Sequence, residues 1–374
     1  MSHSKMSTNT RRVTFLIESL GIGGAERVVS NLATAFDGNG WAVDVVVTQE
    51  RGPLERDLSD GVVVRSLDAN RTLTSVPQFV EYLRDRRPDA LVANMTHVNV
   101  VAAIAVRLAR VDTTLAVVEH SMLSDRVERM DGRKEWLTAK LAGRVYPWAD
   151  AIVTVSDNLA EDVATVTGVD RDSITTIYNP IVTDELFEQA DESVTHEWFA
   201  GDGPPVVLTV GRLEVRKDLP TLLRAFRRLL ERRACRLVIC GDGPERESLE
   251  TLVAELGIAE QVKFVGWADN PYKYMHRADA FVLSSFAEGF SNVLAEALAM
   301  GCPIVSTDCG GPAEILEEGT WGRLVPVGDE DALTTAIGKT LTESVDSDGL
   351  RQRADAFTTA AAYRNYAELL EGKS

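Results

Sequence analysis

The stretch ADAFVLSS (278–285), followed by FAEGFSNVLAEALAM (286–300), predicts a strand, a glycine-containing loop and a helix, in that order. The first segment is short, apolar and bounded by polar residues, which is typical of a strand buried in a parallel sheet. The loop holds Glu288 beside Gly289, and Glu296 lies about two turns further along the helix. This order places backbone N–H groups and the positive end of a helix dipole at the carboxyl edge of a sheet, where phosphate or sugar oxygens can bind.

The two glutamates differ in the side from which they can reach a ligand. Glu288 precedes the helix and can contact a ligand at the N-terminus of the helix, whereas Glu296 can reach the same ligand from the side. A carboxylate that accepts two vicinal hydroxyls is a usual way to hold a ribose or a hexose. Acidic residues near a helix start can also serve only to offset the helix dipole. The spacing alone leaves both roles open.

Alternating strands and helices extend on both sides of this stretch and predict two doubly wound parallel sheets. A polar stretch containing Gly and Pro separates the two halves, and 374 residues suffice for two domains of ordinary size. We therefore predict a disordered tail over 1–10, an N-terminal Rossmann-like domain over 11–190, a linker over 191–203, a C-terminal Rossmann-like domain over 204–353 and a terminal helical segment over 354–374.

A glycine-rich turn, GIGG (21–24), follows the first predicted strand, VTFLIE (13–18), and precedes a helix. It could be the dinucleotide-binding turn of an NAD-type oxidoreductase, with Glu50 as the ribose acid. Glu26 stands where that fingerprint has its third glycine, which argues against an oxidoreductase. That class of enzyme remains an alternative at this point.

Three polar residues stand where predicted strands of the first half end, namely His97, His120 and Ser156. Ligands of open parallel sheets bind at the carboxyl ends of the strands. A polar loop follows His120, so we expect an open face there. A lone histidine at a strand end can equally make an ordinary polar contact, and His97 is the weaker candidate, for contact with an acceptor.

Two cations follow a predicted strand in the second half, within GRLEVRK (211–217). Arg212 and Lys217 can clamp a diphosphate, the arginine through its bidentate fork and the lysine as a point charge. Arg212 could instead pair with Glu214, and Arg216 is the adjacent alternative to Lys217.

The composition is strongly acidic, with 57 acidic residues against 39 basic ones and a net charge of -18; only eight of the 39 are lysine. This balance argues against nucleic acid as a partner. It predicts either a halophilic cytoplasm or an acidic bias of the actinobacterial type. The N-terminus has no apolar signal region, no apolar run could span a bilayer, and the four cysteines form no C-x-x-C pair. We expect a cytoplasmic protein.

Residues 126–148 depart from the acidic trend. Cationic residues alternate there with apolar and aromatic ones at helical spacing: Arg126, Arg129, Arg133, Lys134, Lys140 and Arg144, with Trp136, Leu137, Leu141, Val145 and Trp148. Such a helix can be an ordinary surface helix with salt bridges. It can also meet anionic lipid headgroups at the cytoplasmic face of a membrane, or a lipid diphosphate.

The E-x7-E pair within EGFSNVLAEALAMGCPIVSTDCGGPAEIL (288–316) resembles the retaining glycosyltransferases of GT-B fold, family 4-like. The sequence of residues 270–301 is similar to that of transferases that add N-acetylgalactosamine to lipid-linked oligosaccharides. The resemblance covers nearly the whole chain and is more specific in the second half. It implies two Rossmann-like domains that face each other across a cleft, with a C-terminal helix that crosses back to the first domain.

The resemblance also assigns site residues. It implies that Glu288 holds the hexose, Glu296 the ribose, and that a histidine at position 120 contacts the hexose. The catalytic residues would be Glu288, His120, Arg212 and Lys217. The donor would further contact Gly23, Gly24, Gly211, Gly289, Phe290, Ser291, Leu294 and, around the base, residues 264–267 with Val265 and Gly266.

The implied reaction is the transfer of a hexose or N-acetylhexosamine, with retention, from a nucleotide-diphosphate sugar such as a UDP-sugar to a lipid-linked saccharide or polysaccharide. No cofactor is expected beyond the donor. D-x-D triplets at 170/172, 329/331 and 346/348 are expected by chance in so acidic a chain, so we predict no metal requirement. A sugar-nucleotide epimerase of related fold is a further alternative, which would convert a UDP-sugar without an acceptor.

Overall fold

The structure of the protein, a computed structural model, describes residues 10–49, 51–125, 132–199, 201 and 203–372, without the side chains of 132–135. The predicted tail therefore lies almost wholly outside the described residues. Contacts divide the chain into two compact units, one comprising residues 1–180 and 359–374 and the other residues 181–358. Each unit is built on its own parallel sheet, as the alternation of strands and helices predicted.

The first unit alternates strands and helices along the chain. Its strands are β1 Arg12–Ile17, β2 Ala42–Val47, β3 Val62–Ser66, β4 Ala90–Asn94, β5 Thr114–Glu119, β6 Ala151–Thr154 and β7 Ile174–Thr176. Its helices up to residue 180 include α1 Gly24–Gly38, α2 Val76–Arg86, α3 Thr96–Ala109, α4 Gly132–Val145 and α5 Asp157–Thr167.

Within the described residues, these strands form one parallel sheet in the order β3-β2-β1-β4-β5-β6-β7. The central strands are almost continuously buried, because helices cover both faces of a doubly wound sheet. Strand order reverses between β1 and β4, so the chain leaves these two neighbouring strands in opposite directions. The backbone opens at their carboxyl ends, which is where such folds bind ligands.

The second unit repeats the pattern. Its strands are β8 Val206–Val210, β9 Arg236–Cys240, β10 Val262–Gly266, β11 Ala280–Leu283, β12 Ile304–Thr307 and β13 Arg323–Val325. Its helices are α6 Asp184–Ala190, α7 Leu219–Leu230, α8 Arg246–Glu255, α9 Tyr272–Met275, α10 Asn292–Ala299, α11 Gly311–Ile315, α12 Glu330–Thr340 and α13 Ser347–Ala354.

The described strands of this unit form a parallel sheet in the order β10-β9-β8-β11-β12-β13. Strand order reverses here between β8 and β11. Strand β11 is buried at all four positions, with Phe281 and Val282 inaccessible to solvent. The strand-loop-helix stretch from which the fold was predicted therefore occupies the centre of the second sheet.

The units divide earlier than the predicted boundary at residue 190. Helix α6 packs against α9, and the side-chain amide of Asn270 donates to the carbonyl of Gln189 at 2.7 Å. The polar segment predicted as a linker holds Trp198, which is buried beneath the guanidinium of Arg236 and the ammonium of Lys263. Polar composition suggested a free linker, but this aromatic side chain attaches the segment to the second unit.

The C-terminal helix, α14 Thr359–Glu371, groups with the first unit, whereas α13 and the residues up to 358 group with the second. Tyr366 is 2% exposed, and the ring of Tyr363 meets Phe36 of α1 edge to face at 4.9 Å. Arg11 pairs with Glu371 at 2.5 Å. The predicted return of the chain is thus confirmed, although it begins after residue 358 rather than at 354.

Of the helices in the described ranges, none combines the length and the apolar composition needed to cross a bilayer.

Replacing Phe281 with Ala should lower the free energy of unfolding by about 3–5 kcal/mol, since it leaves a cavity in a fully buried strand. The matched variant Phe187→Ala lies in the same unit at a side chain that is 44% exposed, and it should change stability far less. Urea denaturation followed by circular dichroism measures both, and equal losses would contradict the central position of β11.

Candidate active site

The reversal of strand order in the second unit brings together the two segments that carry the predicted donor residues. Gly211, Arg212 and Lys217 follow β8, while Ser285 and Glu288 follow the adjacent β11. Gly241, which follows the neighbouring strand β9, lies so close to the end of β8 that a Cβ added to it would be 1.9 Å from the carbonyl oxygen of Gly211.

Glu288 is the centre of a buried ion-pair network. Its side chain is 5% exposed, with Lys217 Nζ 2.7 Å from Oε1 and Arg216 Nη1 3.3 Å from Oε2. The hydroxyl of Ser285 donates to Oε1 at 2.8 Å. Burial alone would raise the pKa of Glu288, but Lys217 and Arg216 outweigh it and hold the pKa below its ordinary value. Glu288 is therefore a fixed anion at neutral pH, and it orients two cations.

Arg212 differs from the two neighbouring cations. No carboxylate among the described residues lies within ion-pair distance of it, whereas Glu214 pairs with Arg216 at 3.0 Å. The alternative pairing of Arg212 with Glu214 is therefore not the one adopted. Arg212 and Lys217 line a small cavity at the ends of β8 and β11. The site thus offers an uncompensated guanidinium beside a lysine that is already paired.

The loop from Glu288 to Ser291 is held by its own backbone. Glu288 N–H donates to the carbonyl of Cys309 at 3.2 Å, and Gly311 N–H donates to the carbonyl of Glu288 at 3.0 Å. Ser291 occupies the N-cap of α10 and is 2% exposed, yet its hydroxyl has no hydrogen-bond partner among the described residues. A buried hydroxyl at a helix N-terminus is a donor ready for an anionic oxygen.

Glu296 and Leu294 lie on the same helix but have different surroundings. Glu296 is 8% exposed, and the hydroxyl of Tyr272 is 3.4 Å from its Oε1. Leu294 is fully buried in the core, and its N–H donates to the carbonyl of Ser291. Leu294 is therefore a packed residue in this structure, and its contact with a donor stays a prediction.

The segment expected near the nucleotide base ends β10, the edge strand beside β9. Arg246 lies over the ring of Phe264 at 5.8 Å, and Gly266 adopts a positive φ of 75°. Trp267 is 52% exposed and its indole N–H donates to Asp269 at 3.0 Å. Val265 is half-buried in the strand itself.

In the first unit, Gly23 is the N-cap of α1 and Gly24 is its first residue. A Cβ on Gly23 would lie 2.1 Å from the carboxylate of Glu26, which folds back over the helix start. Glu26 is thus an acidic residue near the positive end of the helix. The sequence showed only that Glu26 occupies the place of the third glycine in the dinucleotide fingerprint.

His120 directly follows β5, and its Nε2 lies 3.0 Å from Asn94 Oδ1. Burial lowers its pKa to about 4, so the imidazole is neutral at pH 7. Its Nδ1 is buried without a hydrogen-bond partner among the described residues. Ser156, by contrast, caps α5 by accepting from Leu159 N–H at 3.1 Å.

The D-x-D triplets serve local structure. The first aspartate of each triplet caps the N-terminus of a helical segment through a backbone N–H; these residues are Asp170, Asp329 and Asp346. Among the described residues, no group of three or more His, Cys, Asp or Glu side chains is arranged to hold a metal ion.

The sequence did not single out Ser285, Tyr272 or Glu18. Ser285 was visible only as part of the polar end of a strand, and Tyr272 lies in a helix too short to show periodicity. Tyr272 reaches Glu296 through the tertiary fold, whereas Ser285 meets Glu288 within one loop, three residues away.

Two family models match the chain. The model described as Glycosyltransferase Family 4 matches residues 22–185, and the model described as Glycosyl transferases group 1 matches residues 204–343. Together the two matches cover most of the sheets of both units. The chain belongs to the family 4-like glycosyltransferases, as the E-x7-E resemblance predicted.

Two curated proteins illustrate the relationship. The N-acetylgalactosamine-N,N'-diacetylbacillosaminyl-diphospho-undecaprenol 4-alpha-N-acetylgalactosaminyltransferase of Campylobacter jejuni is 33% identical over 241 residues, 62% of this chain and 63% of that protein. The lipopolysaccharide core biosynthesis glycosyltransferase LpsE of Rhizobium meliloti is 34% identical over 174 residues, 45% of this chain and 50% of that protein. The matches thus span from half to just under two thirds of these relatives.

The crystal structure of Anabaena HepE in complex with UDP has a TM-score of 0.79 and 22% identity to this chain, over 96% of this chain and 100% of that one. At this identity the likeness establishes the fold alone. The GT-B fold predicted from the sequence is thereby confirmed.

Replacing Glu288 with Gln should make the melting temperature depend less on pH under acidic conditions. Although burial opposes ionisation, Lys217 and Arg216 keep the folded-state pKa of Glu288 below its ordinary value of 4.5. The ionised group therefore stabilises the fold fully above that pH, and the contribution is lost as the pH falls through the lower, folded-state value. Melting temperatures of both proteins between about pH 3 and about pH 7 should converge toward the acid end. A difference that stays constant over this range would contradict the pairing.

Proposed function

We propose that the protein transfers a hexose or N-acetylhexosamine from a nucleotide-diphosphate sugar, with UDP as the expected nucleotide, to a lipid-linked saccharide or polysaccharide acceptor. The observation that carries the proposal is the cluster of Arg212, Lys217, Glu288 and the buried Ser291 hydroxyl at the strand reversal of the second unit. Cations and helix N–H groups suit a diphosphate, and carboxylates suit sugar hydroxyls.

The relatives support this substrate class. One is named as an N-acetylgalactosaminyltransferase acting on a diphospho-undecaprenol-linked sugar and another as a lipopolysaccharide core glycosyltransferase, while the HepE structure was solved with UDP. The proposed product is accordingly a glycan built on a lipid carrier or a polysaccharide.

In the proposed reaction, the bond between sugar C1 and the diphosphate breaks through an oxocarbenium-like state. Arg212 and Lys217 stabilise the negative charge that develops on the leaving diphosphate, which is electrostatic catalysis by preorganised groups. This role needs no metal ion. An acceptor hydroxyl attacks C1 from the face that the leaving group vacates, so the anomeric configuration is retained.

The remaining groups hold the donor. Glu288 accepts hydroxyls of the hexose and at the same time fixes Lys217. Glu296 accepts the hydroxyls of the ribose, with Tyr272 orienting its carboxylate. The role proposed for His120 is a hydrogen bond to the hexose from an imidazole that burial keeps neutral. These assignments give a reason for burying two carboxylates, which is costly unless the charged groups have partners.

Contact with the cytoplasmic face of a membrane is a second part of the proposal. Trp136 and Leu137 of α4 are 52% and 62% exposed, and the guanidinium of Arg107 lies 4.8 Å above the exposed ring of Trp148. Arg126 and Arg129 lie outside the described residues, as do the side chains of Arg133 and Lys134. Exposed aromatic groups next to cations favour an anionic lipid surface.

Lys217→Ala and Glu296→Ala should each abolish the rise in melting temperature that UDP produces in the wild-type protein, since ligand binding to the folded state is what raises it. A screen with UDP, GDP and ADP identifies the nucleotide. The matched control is Lys339→Ala, at an exposed lysine of the same unit, which should keep the full shift.

Normal shifts in both site variants would overturn the donor site.

A transfer assay with a UDP-sugar and a saccharide acceptor should give the same activity with and without EDTA. Loss of activity in EDTA would contradict a metal-free reaction. Conversion of the UDP-sugar to an isomer without any acceptor would indicate an epimerase instead.

The double variant Trp136→Ser/Leu137→Ser should weaken binding to vesicles rich in phosphatidylglycerol by at least about tenfold, because two large apolar groups no longer enter the interface. Leu73→Ser, at a leucine of the same unit that is 56% exposed, is the control. Co-sedimentation with anionic and with phosphatidylcholine vesicles measures the effect, and equal binding to both would contradict an electrostatic contribution.

A further inference from the structure

A cluster of three arginines lies in the first unit, outside the residues assigned above to the reaction. Arg12 is the first residue of β1, Arg65 lies in the edge strand β3, and Arg86 is the last residue of α2. Their guanidinium groups converge on the carboxylate of Asp44, which lies in β2 between the other two strands. The cluster therefore stands on the face of the sheet that α2 covers, beside the open edge formed by β3.

The three guanidinium groups meet at one oxygen atom, Oδ2 of Asp44. Its distances are 3.5 Å to Arg12 Nη1, 3.7 Å to Arg65 Nε and 3.2 Å to Arg86 Nε. The same oxygen accepts the hydroxyl of Tyr82 at 2.8 Å, and only 1% of the Asp44 side chain is exposed. The cations stabilise this buried carboxylate, but a single negative charge does not neutralise all of them.

Most of the N–H donors in the cluster have no acceptor in the described part of the chain. Among the N–H groups of the three guanidiniums, only Arg86 Nε makes a hydrogen bond there, and its acceptor is Asp44. The side chains of Arg12 and Arg86 are each 29% exposed and that of Arg65 is 39% exposed. A ligand can therefore reach the outer Nη groups from solvent.

The positive charge of the cluster is not offset by other acids. Within the described ranges, no carboxylate besides Asp44 lies within ion-pair distance of the three guanidiniums. Asp89 lies nearby, since it accepts the backbone N–H of Arg12 at 2.7 Å. The cations still outnumber the carboxylates when Asp89 is counted, although the whole chain has a net charge of -18. Such a local excess attracts an anion.

The arrangement of donors favours a phosphate among anions. A guanidinium donates through parallel N–H groups in a fixed fork, which matches the geometry of phosphate oxygens. A phosphate monoester carries about two negative charges at pH 7 and several acceptor oxygens. That charge equals the excess of the three guanidiniums over the Asp44 carboxylate.

We propose that Arg12, Arg65 and Arg86 bind the phosphate group of an anion, either inorganic phosphate or a phosphate monoester. Their outer Nη groups donate to the phosphate oxygens, while Asp44 holds the three guanidiniums together. The candidate donor site lies in the second unit, so this anion site is separate from it and does not depend on the proposed function. A lipid headgroup can present the same phosphate monoester, and the experiment distinguishes the two sources.

The test is isothermal titration calorimetry of the full chain with inorganic phosphate and with glycerol 3-phosphate, at an ionic strength kept constant with sodium chloride. Arg65→Gln should weaken binding by about tenfold or more, the expected loss of a hydrogen bond between charged groups. Arg65 is the preferred position because at 3.7 Å its Nε makes no hydrogen bond to Asp44, so its loss disturbs the fold least. Arg12→Gln should give the same result and decides the matter if Arg65→Gln does not fold.

Arg51→Gln is the matched control, because it removes the same charge from the same unit at a side chain that is 53% exposed and pairs with Glu55. It should bind phosphate as the wild-type protein does. Arg212→Gln removes a cation of the candidate donor site and should also keep the binding that Arg65→Gln weakens. Melting temperatures without ligand report whether each variant is folded.

Wild-type affinity retained in a folded Arg65→Gln variant would overturn the proposal. A loss of affinity in Arg212→Gln alone would also overturn it, because phosphate would then bind at the candidate donor site.

Co-sedimentation with vesicles that contain phosphatidic acid identifies the source of the phosphate. Weaker sedimentation of Arg65→Gln than of Arg51→Gln would assign the site to a lipid headgroup, and equal sedimentation would assign it to a soluble phosphate. A wild-type protein that binds neither the two soluble probes nor these vesicles would contradict the proposal.

Discussion

The constraint on which the molecule depends is the reversal of direction between two neighbouring strands of a parallel sheet. Elsewhere along the carboxyl edge, the loops after neighbouring strands lead to helices on the same face of the sheet. At the reversal the two loops part, and backbone and side chains there can reach a ligand. In the second unit this position holds Glu288 and Lys217 at 2.7 Å, and in the first unit Glu18 and His97 at 3.3 Å.

The two edges carry different electrostatics on the same architecture. In the second unit, Arg216 and Lys217 pair with the buried Glu288, and Arg212 lines a cavity beside Lys217. At the edge of the first sheet, the side chains of Glu18 and His97 lie 3.3 Å apart. The buried Glu288 is tolerated because its charge is paired and hydrogen-bonded, which a lone carboxylate in the same place would not be.

Much of this could be predicted from the sequence. The alternation of apolar strands with helices identified both parallel sheets, and the E-x7-E spacing located Glu288 and Glu296 at a strand-loop-helix junction. The boundary between the units could not be predicted, because Trp198 sits in a polar segment and only its packing against Arg236 and Lys263 attaches that segment to the second unit. That Leu294 is fully buried could not be predicted from its position in the motif, because burial depends on how α10 packs.

The sequence by itself determined the family, the two doubly wound sheets and the identity of the acids and cations at the candidate site, because these follow from local periodicity and from short motifs. The tertiary structure alone decided which side chains are partners. Arg216 pairs with Glu214, Lys217 pairs with Glu288, and Glu18 contacts Gln49, Thr72 and His97. Arg216 and Glu214 are only two residues apart, but the other partners are far apart in the chain and meet only through the order of the strands, which no local pattern of residues records.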